Sequence, residues 1–152
     1  MTKAVCIVDT SVLLELLDVP DKSDDSAMFV REFEGRVKAG EAMLLPLTAI
    51  LEAGNFVGQV GSGKVRRKLA EKLVAIVAQA LLPASPFTLT PLPDQKELAG
   101  DLDRFVDWCK QRSGLGDLLI KTTWERQCAL QPKQRRVYVW SKDAHLQGYD
   151  RR

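Results

Sequence analysis

Histidine and cysteine, the side chains that serve most readily as nucleophiles, redox groups and zinc ligands, are scarce in this sequence. There is one histidine in 152 residues, and His145 alone cannot build a His-rich zinc site, which takes several nitrogen or sulfur ligands. Nor does a GxSxG elbow accompany it to make a Ser–His pair. The three cysteines, Cys6, Cys109 and Cys128, lie far apart with no CxxC pair, the pattern of reduced core thiols in a cytosolic protein. Long apolar runs are missing too. The longest, Leu73–Ala78, is far short of the ~18 residues of a membrane helix. Asp9 cuts Ala4–Val8 before it could serve as a signal-peptide core. An excess of one charge is also lacking, because 22 basic against 20 acidic residues leave only +2. The chain reads as cytoplasmic, with no membrane partner, and any chemistry it performs is carboxylate chemistry.

What is present describes one ordinary globular domain, residues 1–152. A chain of this length buries about 68–70% of its unfolded surface and needs no staple to fold. With 45% hydrophobic and 28% charged residues, it is not disordered. Ala4–Val8 is a continuous β-branched apolar run, the mark of a strand covered on both faces. Asp9, Thr10 and Ser11 offer caps for a helix over Val12–Leu17. Helical spacing of Met28, Phe29, Phe33 and Val37 predicts a helix over Ser23–Ala39, stopped at Gly40. Strands are predicted at Ala42–Leu45, Phe87–Thr90 and Val137–Trp140. Helices are predicted after Pro46, over Val65–Leu82, over Asp94–Arg112 and over Asp117–Leu130. In the Asp94–Arg112 helix, Leu98, Leu102, Phe105, Val106 and Cys109 are expected to face inward. Strands alternating with helices imply a three-layer α/β/α sandwich with a mainly parallel central sheet.

Ligands of such sheets bind beyond the carboxyl ends of the strands. Asp9 follows the first strand directly and Asp143 follows the last by three residues. On the helix after Pro46, Thr48, Glu52, Asn55 and Gln59 form a polar stripe, separate from the apolar Leu47, Ile50, Leu51 and Gly54. It holds no lysine or arginine to pair with Glu52, as a solvated face usually would. Asp117 stands where Ser113-Gly-Leu-Gly116 leads into an apolar helix. A first-turn acid suits the positive end of a helix, but the glycine pair also lets backbone approach something closely. Glycine and lysine recur in Gly58-Gln-Val-Gly-Ser-Gly-Lys64, a GxxxxGK match. Val65 stands where a phosphate-binding loop needs a hydroxyl, and a helix precedes it rather than a strand. Gly61-Ser-Gly63 reads better as a helix–helix turn before a basic helix start.

Four segments together resemble one family. Val8-Asp9-Thr10-Ser11-Val12-Leu13-Leu14 resembles the opening motif of PIN-domain nucleases, and Leu45-Pro46 through Glu52 to Phe56 their second, a proline followed by a helical glutamate. Gly116-Asp117-Leu118-Leu119-Ile120 is similar to the third, and Ser141-Lys142-Asp143-Ala144-His145-Leu146 to the fourth. Order and spacing fit across nearly the whole chain. The resemblance implies a PIN fold and a Mg²⁺- or Mn²⁺-dependent endoribonuclease, most like the VapC-type toxins of toxin–antitoxin pairs. It further implies an RNA substrate, a cognate antitoxin and a homodimer. Asp9, Glu52, Asp117 and Asp143 would be the catalytic acids and metal ligands, with Thr10, Ser11, Asn55 and Ser141 as candidate supporting or phosphate contacts.

The chemistry agrees, because carboxylates without His or Cys select hard, oxygen-preferring cations. Lys64, Arg66, Arg67 and Lys68, and Lys133, Arg135, Arg136, Arg151 and Arg152, are basic groups that could guide RNA to such a site. Two alternatives are a catalytically silent PIN-like module binding RNA or protein, and a phosphoacceptor domain. The latter expects an acidic pair beside the first strand, whereas Asp24-Asp25 lies well beyond it.

Overall fold

A computed structural model of the chain describes residues 3–152. Five strands form one sheet in the order β3-β2-β1-β4-β5. β1 (Val5–Val8), β2 (Ala42–Pro46), β3 (Phe87–Thr90) and β4 (Val137–Trp140) run parallel, and β5 (Asp150–Arg151) is antiparallel on the β4 edge. Because successive side chains point to opposite faces, the central strands β1, β2 and β4, covered on both sides, must be apolar twice over. Cys6, Val8, Met43, Leu45, Tyr138 and Trp140 face one core, while Val5, Ile7, Leu44, Val137 and Val139 face the other. The first core is covered by α1 (Thr10–Leu17), α2 (Ser26–Lys38), α3 (Leu47–Gly58) and α4 (Gly63–Ala80). The second lies under α6 (Leu115–Leu130) and α7 (Ala144–Gln147), with α5 (Gln95–Trp108) against α6. The architecture is therefore the expected three-layer α/β/α sandwich. No helix among the described residues is long and apolar enough to cross a membrane.

Several expected boundaries move, each for a local reason. α2 begins at Ser26 rather than Ser23, because the backbone N–H groups of Asp24 and Asp25 donate to the Glu15 carboxylate and Asp25 then caps the helix at Met28 N. α4 begins at Gly63, two residues earlier than expected, with Ser62 as its cap, so the expected turn at Gly61-Ser62 does join two helices. α5 ends at Trp108 and continues as a short 3₁₀ turn to Gln111. α6 opens at Leu115 rather than at Asp117, which puts Asp117 inside its first turn. The sequence reading missed α7 and β5, which are four and two residues long.

The expected inward face of α5 is the main correction. Leu102 is 45% and Val106 69% exposed, and Cys109 is exposed as well. The helix docks instead through Asp101 and Trp108, both buried, with Leu98 and Phe105 half-buried between them. An ionic contact with α6 replaces the apolar one: Arg126 reaches both oxygens of Asp101 and Oε2 of Glu97. The cysteines also divide, because only Cys6 is a core thiol. Burial pushes it up to about 12, which leaves it inert as a nucleophile.

Candidate active site

β1 is the switch point of the sheet. The chain leaves it through α1 and α2 toward β2 on one side, while β4 arrives on the other after crossing beneath through α5 and α6. The crevice at its carboxyl end is where a doubly wound sheet binds ligands. Val8 pairs with Trp140, and Asp9 N donates to the Trp140 carbonyl, so the ladder delivers Asp9 opposite Ser141. Asp9 caps α1 and is only 4% exposed.

A buried carboxylate needs hydrogen-bond donors, and here two serines supply them. Ser11 Oγ and Ser141 Oγ donate to the same oxygen, Asp9 Oδ2, at 2.8 and 2.7 Å. Each hydroxyl then accepts a backbone N–H from the loop after β4: Lys142 N to Ser11 Oγ at 3.0 Å, and Asp143 N to Ser141 Oγ at 2.9 Å. The capping acid and the loop that carries Asp143 are thus stitched together. Asp143 in turn caps α7, its Oδ1 accepting from His145 N at 2.9 Å.

A second tie crosses the same gap. Glu15, within the apolar helix α1, is 0% exposed. Lys142 Nζ donates to its Oε1 at 2.7 Å and to Asp24 Oδ2 at 2.6 Å. Lys142 lies between Ser141 and Asp143, so this ion pair holds the β4–α7 loop against α1.

The other two acids approach from α3 and α6. Glu52 Oε2 accepts from Thr10 Oγ1 at 3.2 Å. Asp117 Oδ2 accepts from Ser113 Oγ at 2.9 Å, and the start of α6 is anchored by Trp108 Nε1 on the Gly114 carbonyl. The two glycines separate in role. A Cβ on Gly116 would lie 1.6 Å from Glu52 Oε1, whereas one on Gly114 would meet nothing within 4 Å. The bare backbone at Gly116 leaves room for the Glu52 carboxylate against the start of α6, beside Asp117.

Asp9, Glu52, Asp117 and Asp143 line one cleft of about 220 Å³, together with Thr10, Ser11, Leu14 and Phe56. The four acids expected from the sequence are therefore brought together. Burial, followed by the charges of Asp9 and Asp117, raises the pKa of Glu52. Burial and the charges of Asp9 and Asp143 raise that of Asp117. None of the four has a lysine or arginine ion-pair partner among the described residues. On Asp9, Glu52 and Asp143 one oxygen accepts hydrogen bonds while the other accepts none among those residues.

As they stand, no group of three or more acidic, histidine or cysteine side chains among the described residues could hold a metal ion. The four carboxylates line the cleft walls. Their chemistry nonetheless suits a hard divalent cation: oxygen donors only, net negative charge, and unengaged oxygens.

Thr10, Ser11 and Ser141 hold acids in place, as the sequence reading proposed in outline. Asn55 and His145 are exposed and do not line the cleft. Glu15 and Lys142 were missed as functional residues. The signal for Glu15 was an acid inside Val12-Leu-Leu-Glu-Leu-Leu17, a helix with no solvent face to receive it. The basic clusters also divide. Arg135, Arg136 and Arg151 sit near the amino end of β4, bonded to the Lys3, Cys128, Pro132 and Arg135 carbonyls and to Asp150, far from the acids. No protein-family model matches this chain, and a search of curated proteins found no match either.

Proposed function

We propose that this chain is a PIN-type, Mg²⁺- or Mn²⁺-dependent endoribonuclease acting at the cleft of Asp9, Glu52, Asp117 and Asp143. One observation carries the reading: four carboxylates from four separate elements line one cleft at the switch point of the sheet, and none has a lysine or arginine ion-pair partner among the described residues. Folding buries these acids and gathers their like charges, both at a cost: burial first, and then the neighbouring carboxylates, raise the pKa values of Glu52 and Asp117. Such an arrangement suits a site that binds a cation from outside.

A divalent ion held there supplies a Lewis acid and an activated water for phosphodiester hydrolysis. The chain's residues do the positioning. Asp9 and Asp143 are fixed by the serine bonds and by Lys142, Glu52 by Thr10, and Asp117 by Ser113. The assignment to the toxin branch, with a cognate antitoxin and a homodimer, rests on the motif resemblance alone.

Cleavage of a labelled single-stranded RNA, followed with Mg²⁺, with Mn²⁺ and with a chelator, tests the proposal. Cleavage should require the ion. It should fall at least about a hundredfold in Asp9→Asn and in Asp117→Asn, since each loses ligand charge at nearly constant volume, while RNA binding persists. Wild-type rates in both variants would overturn the site. Metal-independent RNA binding without cleavage would favour the silent binding module instead.

A further inference from the structure

We propose that Phe56 and the pocket beyond it form a binding subsite for one unpaired nucleotide of a single-stranded RNA, adjoining the acid cleft; this rests on the reading of that cleft as an RNA-cleaving site. α3 places Phe56 four residues after Glu52, one turn along the same face. Its half-buried ring lines the acid cleft. It also lines a second cavity of about 180 Å³, whose walls include Pro20, Lys22, Gln59 and Val60. Phe56 is therefore the shared wall between the two.

Part of the ring packs on the core, which would suffice for a structural residue. It does not account for the outer face, which an exposed ammonium covers: Lys22 Nζ lies 4.7 Å from the ring centroid. A ring face open to a solvated cation is open to a nucleobase, and the displaced ammonium is then free to meet a phosphate. Cations continue past the pocket. Arg66 folds back to donate to the Val60 carbonyl at 2.7 Å. Lys22, Lys64, Arg66 and Lys68 form no ion pair among the described residues. Lys22 and Asp21 both line the pocket, and Arg66 is tied to its wall at Val60.

Moving outward from the acids, the surface thus offers an anionic cleft, an aromatic face and a basic turn. That is the order needed to hold a scissile phosphate through a cation, stack the neighbouring base and neutralise the next phosphates. Bases in a duplex are already stacked and cannot reach such a platform, so the occupant is single-stranded. The turn between α3 and α4, which only superficially resembles a nucleotide-binding loop, takes its place in this track.

The probe is a fluorescein-labelled six-nucleotide oligoadenylate, bound with chelator present to the cleavage-defective Asp9→Asn chain. In that background Phe56→Leu, which keeps an apolar body against the core, should weaken binding about tenfold, the effect of one lost base stack. Phe56→Trp should preserve binding, and Lys22→Ala should weaken it and lower the salt slope by about one. A hexamer with one abasic site should lose affinity for the chain that retains Phe56 and little for Phe56→Leu. Equal binding with and without the Phe56→Leu substitution, an equal loss for a duplex of the same length, or no measurable binding of the hexamer would each overturn the subsite. If the wild type cleaves RNA with Mn²⁺ while Phe56→Leu changes nothing, the subsite falls and the hydrolytic reading stands. If no divalent ion supports cleavage but binding depends on Phe56, the hydrolytic reading falls and the subsite stands.

Discussion

Asp9 and Asp101 are equally buried, each 4% exposed, yet their surroundings are opposite. Asp101, at the α5–α6 contact, is met on both oxygens by Arg126 and on one by Thr122 Oγ1. Among the described residues, Asp9 is met on one oxygen only, by two serine hydroxyls and an amide. Glu15, more deeply buried still, follows the Asp101 pattern through Lys142. An acid buried for architecture is thus balanced by a cation of the chain itself. At the cleft the acids are oriented by neutral donors, and their charge is left unbalanced.

The sharpest way to break this comparison is to remove the internal cations. Arg126→Met leaves Asp101 buried without a counter-charge and should cost about 3 kcal/mol in urea denaturation. Lys142→Met should cost about as much through Glu15, and should also depress RNA cleavage because the β4–α7 loop loses its tie to α1. Adding Glu15→Gln to Lys142→Met should recover much of the stability, since a neutral amide needs no cation. Asp9→Asn, by contrast, should shift stability by less than about 1 kcal/mol, within the range of ordinary neutral hydrogen-bond changes. A loss as large as that of Arg126→Met would mean that Asp9 is a structural acid after all.

The glycine pair gives an intermediate effect. Gly116→Ala must push the flexible end of Glu52 aside and should cost most of the cleavage activity while changing stability by no more than about 1 kcal/mol. Gly114→Ala, which meets no atom within 4 Å, should leave cleavage intact.

The smallest effects belong to the cleft charges themselves, read by melting temperature. Mn²⁺ binds the folded chain and should raise its melting temperature as the ion exceeds its dissociation constant. Asp143→Asn should shrink that increase without lowering the chelator value, because asparagine caps α7 about as well as aspartate. Acid should act in the same sense as the ion. Glu52 and Asp117 titrate above their ordinary values of 4.5 and 3.8 when folded, so the folded chain binds those protons more tightly than the unfolded one. Their penalty is present above the raised values and is relieved as pH falls through them. Measured against a Glu52→Gln/Asp117→Asn double variant, the wild type should gain relative stability on acidification. A constant difference across that window would contradict the charge crowding.

The acids of the cleft could be read from the sequence because each sits at a junction that local rules mark: Asp9 at a strand end, Glu52 on a polar stripe, Asp117 after a glycine pair and Asp143 beyond the last strand. The order of layers was legible for the same reason, since strands buried on both faces are apolar at every position. The inward face of α5 was not. Leu102 and Val106 have the spacing of a core stripe, but nothing in spacing says that Asp101 will be drawn inward by an arginine 25 residues further along. The Glu15–Lys142 pair was hidden in the same way, its members standing 127 positions apart. Phe56 read simply as the end of a motif, because a residue's place between two cavities exists only once the chain is folded.

The serine stitch between Asp9 and the β4–α7 loop also bears on motion. The amides of Lys142 and Asp143 belong to a loop by sequence, yet they are held by hydroxyls that are themselves tied to a buried carboxylate. Their release therefore requires that the end of the sheet come apart, an event on the slow timescale of subglobal opening rather than the fast one of loop fluctuation. Asp9 and Asp143 are in this sense a fixed jaw. Glu52 and Asp117, each held by a single side-chain hydroxyl bond, form the jaw free to adjust.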